Sequence, residues 1–338
     1  MTYDGVKYFA QNAEAILSYS GSVAAGYNAI RYEVKSGDEA TDRSGYGLVD
    51  GYTFLMPNVD MNASVNPSDL ALVLLDDDSA RPDGKKNADY IAAGGSNKKV
   101  EIHGRRFYQD GDWNTICLPF GVDNLANTPL FDATLMELDV TGTYDTDKQT
   151  GYDASTGTLY LYFKSATSMT AGVPYIIKWG EPEGSASGYL GTAIDSPRFT
   201  GIDISTANPT IVQSADGKVK FVGHYSSKAF AANDYSKLFL GAENKLYYPK
   251  AAMNVNAFRA YFQLNGIAAG DPNSSAPIQN IVLNFGDDET TKVNEVREVK
   301  EVKEVNDNSW YTIEGRKLNS KPTAKGIYIV NGHKLVIK

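Results

Sequence analysis

Apolar and polar residues alternate with a period of two in several segments in the middle of the chain. The clearest examples are 158–163, 258–264 and 280–285. A strict period of two places one face of a strand on a core and the other face toward water. Turn-forming stretches such as 215–218 separate these segments, and no long segment of helical periodicity lies between them. The pattern therefore predicts an all-β protein whose antiparallel sheets form a central β-sandwich or jelly roll.

The two ends of the chain show other patterns. Residues 30–34 alternate like a strand, and three short strands are predicted within 310–338, where Asn331–Gly332 is the strongest hairpin signal of the chain. The polar stretch 76–84 contains Pro and Gly and is predicted to be a solvated loop. Valine recurs at every third position from 293 to 305, with charges of both signs between. Because a period of three fits neither a strand nor a stable amphipathic helix, this segment is predicted to be a solvated spacer.

The predicted organisation has five parts, which is compatible with a length of 338 residues. The parts are a β-repeat-like N-terminal module at 1–75, a loop or linker at 76–97, the central β-sandwich at 98–287, a charged spacer at 288–307 and a short C-terminal β-module at 308–338.

The composition excludes several classes of function. Lys and Arg number 32 against 41 Asp and Glu, and the net charge of −9 argues against nucleic-acid binding because phosphates are repelled. The longest apolar run, 70–75, is too short for a transmembrane helix. The single cysteine, Cys117, excludes an intrachain disulfide, and its apolar neighbours predict a buried structural thiol. With three histidines in the chain, a His-rich zinc site is not expected.

Catalytic signatures are missing from the sequence. The chain has no Gly-x-Ser-x-Gly motif, no His-Glu-x-x-His motif and no P-loop. Glu137 and Asp139 are spaced so that both point the same way from one strand, about 7 Å apart, which suits glycoside hydrolysis. Two carboxylates on the wet face of a strand are common, however, and no neighbour that would raise one pKa is evident. The sequence therefore predicts a protein that is not an enzyme and needs no cofactor.

Tyrosine is the one unusual count, with 22 Tyr against 13 Phe. The alternation places Tyr160, Tyr162, Tyr247, Tyr248 and Tyr261 on outward strand faces. Exposed tyrosines can stack on sugar rings or anchor a protein partner, so these residues are candidates for ligand binding. The alternative is cross-strand pairing that stabilises the sheet without binding anything.

One loop has carboxylates at a spacing that could wrap calcium. Asp145, Asp147 and Asp153 alternate with other polar residues around Gly151. The glycine falls one place late for an EF-hand loop, and no glutamate occupies the closing position. A polar hairpin loop is therefore the prediction, with a calcium site as the alternative.

Residues 110–120 read Asp-Gly-Asp-Trp-Asn-Thr-Ile-Cys-Leu-Pro-Phe. This segment resembles the DGxWNTLCLPF element of large surface and secreted proteins of gut and oral Bacteroidales. Residues 51–60 are similar to the closing strand of the small β-repeats that such proteins string together. Further stretches similar to the same family are found at 136–139, 158–163, 172–176 and 258–262.

The C-terminal segments 310–317, 325–328 and 334–338 are similar to the sorting signals of the type IX secretion system. The resemblance implies an exported protein, extracellular or at the bacterial cell surface, with a leader expected before Met1 and a tail that outer-membrane secretion or attachment machinery reads. It implies adhesion or ligand display, with a host glycan or an extracellular protein as partner, and brings no catalytic residues. The alternatives are a carbohydrate-binding accessory module or degenerate glycosidase sandwich that uses the tyrosine-rich faces, and a structural spacer.

Overall fold

The computed structural model is nearly all β. It describes residues 23–36, 42–48, 61–81, 83–144, 147–180, 193–241, 244–270 and 274–286. Elsewhere it describes the backbone of short strands, at 2–3, 6–7, 14–17, 52–55, 290–293, 297–298, 310–312, 317–318, 326–330 and 333–337.

The elements are numbered here in chain order. The N-terminal strands are β1 (Thr2–Tyr3), β2 (Val6–Lys7), β3 (Glu14–Leu17), β4 (Ala29–Lys35), β5 (Arg43–Leu48), β6 (Tyr52–Leu55) and β7 (Asn62–Leu75), followed by helix α1 (Asn87–Ala92). The next strands are β8 (Gly95–His103), β9 (Arg106–Tyr108), β10 (Asn114–Ile116), β11 (Thr134–Leu138), β12 (Gly151–Asp153), β13 (Thr158–Ala166), β14 (Tyr175–Lys178), β15 (Ala193–Asp195) and β16 (Arg198–Ile204), with a 3-10 turn at Leu125–Asn127 between β10 and β11. The third group is β17 (Ile211–Gln213), β18 (Val219–His224), β19 (Lys228–Phe230), β20 (Lys237–Gly241), β21 (Lys245–Tyr248), β22 (Met253–Val255), β23 (Arg259–Leu264), β24 (Ala268–Ala269), β25 (Pro277–Ile278) and β26 (Asn280–Asn284). The last strands are β27 (Thr290–Val293), β28 (Arg297–Glu298), β29 (Trp310–Thr312), β30 (Lys317–Leu318), β31 (Gly326–Val330) and β32 (His333–Ile337).

Three large sheets build most of the described structure. The N-terminal sheet has the strand order β16-β8-β7-β4-β5, the middle sheet β10-β14-β11-β13-β26-β27 with β12 paired to β13, and the outer sheet β17-β18-β23-β20-β21-β28. Other strands form small two-stranded ladders, and β30-β29-β31-β32 form a four-stranded sheet.

The middle sheet is packed on both faces. Leu159, Leu161 and Phe163 of β13 enter a core shared with Phe221 and Phe262 of the outer sheet. Burial of such side chains is the main force that joins the two sheets. The predicted β-sandwich is therefore confirmed. Leu159, Leu161 and Phe163 lie in its core, as the alternation along β13 predicts.

The other face of the middle sheet packs on the N-terminal sheet. Ile116 and Ile177 from the middle sheet share a second core with Leu72 and Ile102 from the N-terminal sheet. Cys117 lies in this core, fully buried, and its thiol donates to the carbonyl of Gly172 at 3.3 Å. Burial raises the pKa of this thiol to about 12, so the predicted structural role of the cysteine is confirmed. The sandwich thus carries a third β-layer.

Two features of the strand pattern differ from the prediction. The sheets are not purely antiparallel, because β13 pairs with β26 in parallel and β7 pairs with β8 in parallel. The β7–β8 pair encloses the stretch predicted as a loop or linker, which contains helix α1. Asp76, Asp78 and Arg81 of that stretch are buried, so its prediction as a solvated loop was wrong. Asp76 binds Arg259, which lies 183 residues further along the chain, so the polarity of its neighbours does not predict its burial.

The C-terminal segments also differ in detail. Part of the predicted spacer forms strands, since β27 pairs with β26 and β28 pairs with β21, whereas most of it lies outside the described residues. Four strands, not three, form the C-terminal sheet. Asn331 and Gly332 lie outside the described residues, but β31 and β32 on either side pair antiparallel with Val330 opposite His333. The five domain boundaries stay a prediction.

Candidate functional site

The two carboxylates spaced for glycoside hydrolysis share one lysine. Glu137 lies on β11, and Asp139 is the first residue after the end of this strand. Lys164 of β13 places its Nζ 3.2 Å from Oε1 of Glu137 and 3.6 Å from Oδ1 of Asp139. A general acid of a glycosidase needs a carboxyl group whose pKa is raised, and a shared cation has the opposite effect.

Asp139 is held as a turn-forming carboxylate. Its Oδ1 accepts from the backbone N–H groups of Thr141 and Gly142, both at 3.0 Å, and its Oδ2 accepts from the Tyr144 hydroxyl at 2.8 Å. Burial opposes its ionisation, but these hydrogen bonds outweigh burial and lower its pKa to about 2. Asp139 is therefore ionised and engaged at neutral pH, which suits a loop anchor and not an acid catalyst.

The candidate calcium loop is closed by an ion pair. Asp145 lies outside the described residues, and Asp147 has a left-handed backbone with φ of 78°. Asp153 accepts from Nζ of Lys148 at 2.7 Å and from the backbone and hydroxyl of Ser155, and these contacts lower its pKa. No group of three or more potential metal ligands occurs among the described residues.

The candidate tyrosines are more covered than the alternation predicts. Tyr162 is fully buried and Tyr248 is 3% exposed, so the prediction that these two face outward was wrong. Tyr162 is covered by Tyr144, whose ring stacks on it at 4.2 Å with an angle of 4°. The cover comes from the loop after β11, which the period of β13 does not reveal.

The other three candidates are half-buried. Tyr160 lies parallel to Tyr162 at 6.0 Å, and Lys148 stands 5.4 Å from its ring. Tyr247 stacks on Phe239 at 6.1 Å. Tyr261 meets Phe230 edge to face at 5.0 Å. Each ring has a neighbour of the kind that stabilises a sheet, and ligand binding by these residues stays a prediction.

A different tyrosine stands in a polar hollow of the N-terminal sheet. Tyr46 of β5 is surrounded by Arg31 of β4, Lys99 of β8 and Arg198 of β16, whose cationic groups lie 5.8, 5.9 and 5.8 Å from its ring centroid. Since β5 and β16 are opposite edges of a five-stranded sheet, the sheet must curl to bring Arg198 to Tyr46. We call this hollow the trough; it is lined by Arg31, Glu33, Tyr46, Asp69, Lys99, Glu101 and Arg198, together with Ala71, Val100, Phe199 and Thr200.

Every charged group of the trough has a partner of opposite charge. Glu101 accepts from Nε of Arg198 at 2.6 Å and contacts Nδ1 of His103 at 2.9 Å. Asp69 binds Nζ of Lys99 and accepts from the Tyr46 hydroxyl at 2.8 Å. The contact with Lys99 lowers the pKa of Asp69, whereas burial and the neighbouring Asp69 raise the pKa of Tyr46.

The trough has room for a ligand. A hollow of about 240 Å³ lies over Tyr46 and Arg198, and a second of about 380 Å³ adjoins it at Arg31 and Asp69. The sequence does not reveal this site, because its residues come from five strands between positions 31 and 200. The available signal was the outward side of the 30–34 alternation, which carries Arg31 and Glu33.

No protein-family model, no curated protein and no solved structure matches the chain. No helix in the described part of the chain is long and apolar enough to cross a membrane.

Proposed function

We propose that this chain is a non-enzymatic, exported protein of the bacterial cell surface that works in adhesion or ligand display by binding a glycan in the trough. The trough is the observation that carries the proposal. It gathers the ring of Tyr46, three cations and three carboxylates around two adjoining hollows. Aromatic stacking combined with charge-assisted hydrogen bonds suits a ligand that has both apolar ring faces and many hydroxyl groups.

The charge balance of the trough favours an uncharged ligand. Arg31, Lys99 and Arg198 are matched by Glu33, Asp69 and Glu101, so neither sign is in excess. A polyanion would be attracted by one half of this set and repelled by the other. A neutral glycan can accept from the guanidinium groups and donate to the carboxylates without breaking the ion pairs.

The absence of catalysis is supported by the acid pair. Glu137 and Asp139 share Lys164, and the pKa of Asp139 is about 2, so Asp139 is not a protonated acid at neutral pH. The cellular address is proposed from the similarity of the C-terminal segments to sorting signals. Its test is to fuse residues 306–338 to a reporter in a host with type IX secretion. Export of the reporter is expected, and retention in the cell would overturn that part.

The binding part is tested on a glycan array with three proteins. Wild-type protein is expected to bind a subset of glycans, and Tyr46→Ala is expected to lose roughly tenfold or more in affinity because the stacking ring is removed. Tyr108→Ala is the matched control, since Tyr108 is 39% exposed and lies outside the trough. If wild-type protein binds no glycan but adheres to host matrix protein, the proposed glycan ligand is wrong and the proposed role in adhesion stands. Binding to neither would leave a structural spacer.

A second candidate, sugar binding at the tyrosine-rich face of the middle sheet, is favoured by one observation. Tyr160 is half-buried, and its ring is parallel to that of Tyr162 to within 3°. A Tyr160→Ala variant on the same array separates the two sites. Loss of binding with Tyr160→Ala but not with Tyr46→Ala would move the site from the trough to this face.

A further inference from the structure

A second cavity, which we call the cleft, lies where helix α1 faces the end of β18. Its volume is about 450 Å³, within the range of roughly 300 to 1,000 Å³ that small-molecule sites occupy. Ile91 of α1, Pro209, and the ring of Tyr261 on β23 give it apolar walls. His224, Tyr225 and Lys228 bring polar atoms to it.

Two side chains of the cleft keep buried polar atoms without a partner in the protein. Nδ1 of His224 lies 2.8 Å from the carbonyl oxygen of Ser226 and donates to it, so in the neutral ring Nε2 is the unprotonated acceptor. This Nε2 is buried and makes no hydrogen bond with the described residues. The hydroxyl of Tyr225 is also buried and makes none.

The position of the Tyr225 hydroxyl relates it to one wall of the cleft. A Cβ placed on Gly172 would stand 2.9 Å from this oxygen and 3.4 Å from Cα of Pro209. Since Asn208 and Pro209 line the cleft, the hydroxyl is beside that wall. An unpaired buried polar atom costs roughly 1 to 3 kcal/mol, and folded proteins accept few of them. Two such atoms on consecutive residues at one cavity point to a molecule that pairs with them.

The charge around the cleft selects the kind of molecule. Burial lowers the pKa of His224 to about 4, and Lys228, Arg259 and Arg105 act in the same direction. The imidazole is therefore neutral at pH 7 and needs a donor from the ligand. Among the described residues that line the cleft, none is acidic and Lys228 carries the one full charge. The ligand should thus combine an O–H or N–H donor, an apolar body and a negative charge.

We propose that the cleft binds a small aromatic carboxylate that carries an O–H or N–H donor, with the donor on Nε2 of His224, the ring between α1 and Tyr261, and the carboxylate toward Lys228. The Tyr225 hydroxyl takes the second hydrogen bond. This site is independent of the trough, because the two share no lining residue.

Three related probes test the assignment with the full chain by saturation-transfer NMR and calorimetry. They are 4-hydroxybenzoate, benzoate, which lacks the donor, and phenol, which lacks the charge. We expect 4-hydroxybenzoate to bind about tenfold more tightly than benzoate, since one hydrogen bond is lost. Wild-type protein that does not bind 4-hydroxybenzoate at millimolar concentration, or that binds all three equally, would overturn the proposal.

Variants then assign each group. Tyr225→Phe removes a hydroxyl that has no protein partner, so it should leave Tm unchanged or raise it while it weakens 4-hydroxybenzoate several-fold. Tyr152→Phe is the matched control, because the Tyr152 hydroxyl donates to the carbonyl of Pro277 at 3.0 Å away from the cleft; it should lower Tm and leave probe affinity unchanged. His224→Phe should abolish the preference for 4-hydroxybenzoate over benzoate, and Lys228→Met the preference over phenol. Unchanged affinity in Tyr225→Phe together with an unchanged preference in His224→Phe would show that these atoms do not meet a ligand.

Discussion

The trough and the cleft are both lined by aromatic and charged side chains, but their polar atoms are in opposite states. In the trough, Glu101 contacts Arg198 and His103, and Asp69 contacts Lys99 and Tyr46. In the cleft, Nε2 of His224 and the Tyr225 hydroxyl have no partner in the described protein. The trough is therefore complete without a ligand, whereas the cleft carries a cost that a ligand would remove.

This difference separates two ways of building a binding surface. A surface of exposed ion pairs adds little to stability and can exchange its internal contacts for ligand contacts at low cost. A buried site with unpaired atoms sacrifices stability to hold those atoms ready. Variants at the trough should therefore change binding more than stability, whereas changes to the buried charged and titratable groups around the cleft should change stability strongly.

The largest effect is expected behind the cleft, at the buried pair of Asp76 and Arg259. Two nitrogen atoms of Arg259 bind the carboxylate of Asp76 at 2.6 and 3.1 Å, and Arg259 lies opposite His224 in the β18–β23 ladder. Asp76→Asn leaves the cations of Arg259 and buried Arg105 without their counter-charge. We expect the free energy of unfolding in urea to fall by about 3 to 5 kcal/mol.

The control for this change is an exposed ion pair. Asp195 binds Arg106 with both oxygens, but its side chain is 57% exposed. Asp195→Asn should leave the free energy of unfolding unchanged within error, because water replaces the lost contact. Equal effects of the two variants would show that the burial of Asp76 does not strengthen its pair.

The next effect is a pH dependence that only the cleft should produce. The pKa of His224 is about 4 in the folded protein and near 6.5 when unfolded, so the unfolded chain binds a proton first as the pH falls. The stability that neutral His224 contributes is fully present above pH 6.5 and is lost between pH 6.5 and 4. The loss should be about 3 kcal/mol in urea denaturation at several pH values.

His224→Phe should remove this fall in stability, since the new side chain does not titrate. His103→Gln, at an exposed histidine of the trough rim, should keep the fall because His224 is still present. The contrary result would be a free energy of unfolding that, apart from the titration of carboxylates, does not change between pH 6.5 and 4. It would show that His224 is in contact with water in the folded protein.

Three positions show how much of the structure could be predicted from the sequence. Leu161 was assigned to a core by alternation alone, because the period of a strand is a local property. Tyr162 was predicted to face outward on the opposite side of the strand, but it is fully buried because the ring of Tyr144 covers it. Asp76 was assigned to solvent because its neighbours are polar, yet its partner Arg259 lies 183 residues further along the chain. Local patterns therefore predicted strands and the sandwich, while the burial of polar groups depended on long-range pairs.

The same reasoning explains why both candidate sites were missed. The trough depends on the curl that brings Arg198 to Tyr46, and the cleft on the approach of α1 to the end of β18. Neither approach has a sequence motif. The scarcity of histidine singles out His224, but from the sequence alone it argues only against a His-rich zinc site.

The smallest effect on stability is expected in the trough, and it sharpens the comparison because binding should respond much more. Lys99 is 46% exposed on its side chain and binds Asp69. Lys99→Met should lower the free energy of unfolding by less than about 1 kcal/mol, since an exposed pair is screened by water and salt. Glycan binding on the array should fall several-fold, because Asp69 and the Tyr46 hydroxyl lose the cation that orients them. The opposite result would be a fall in the free energy of unfolding as large as in Asp76→Asn, with glycan binding unchanged. Lys99 would then stabilise the curled sheet through its ion pair and would not take part in glycan binding.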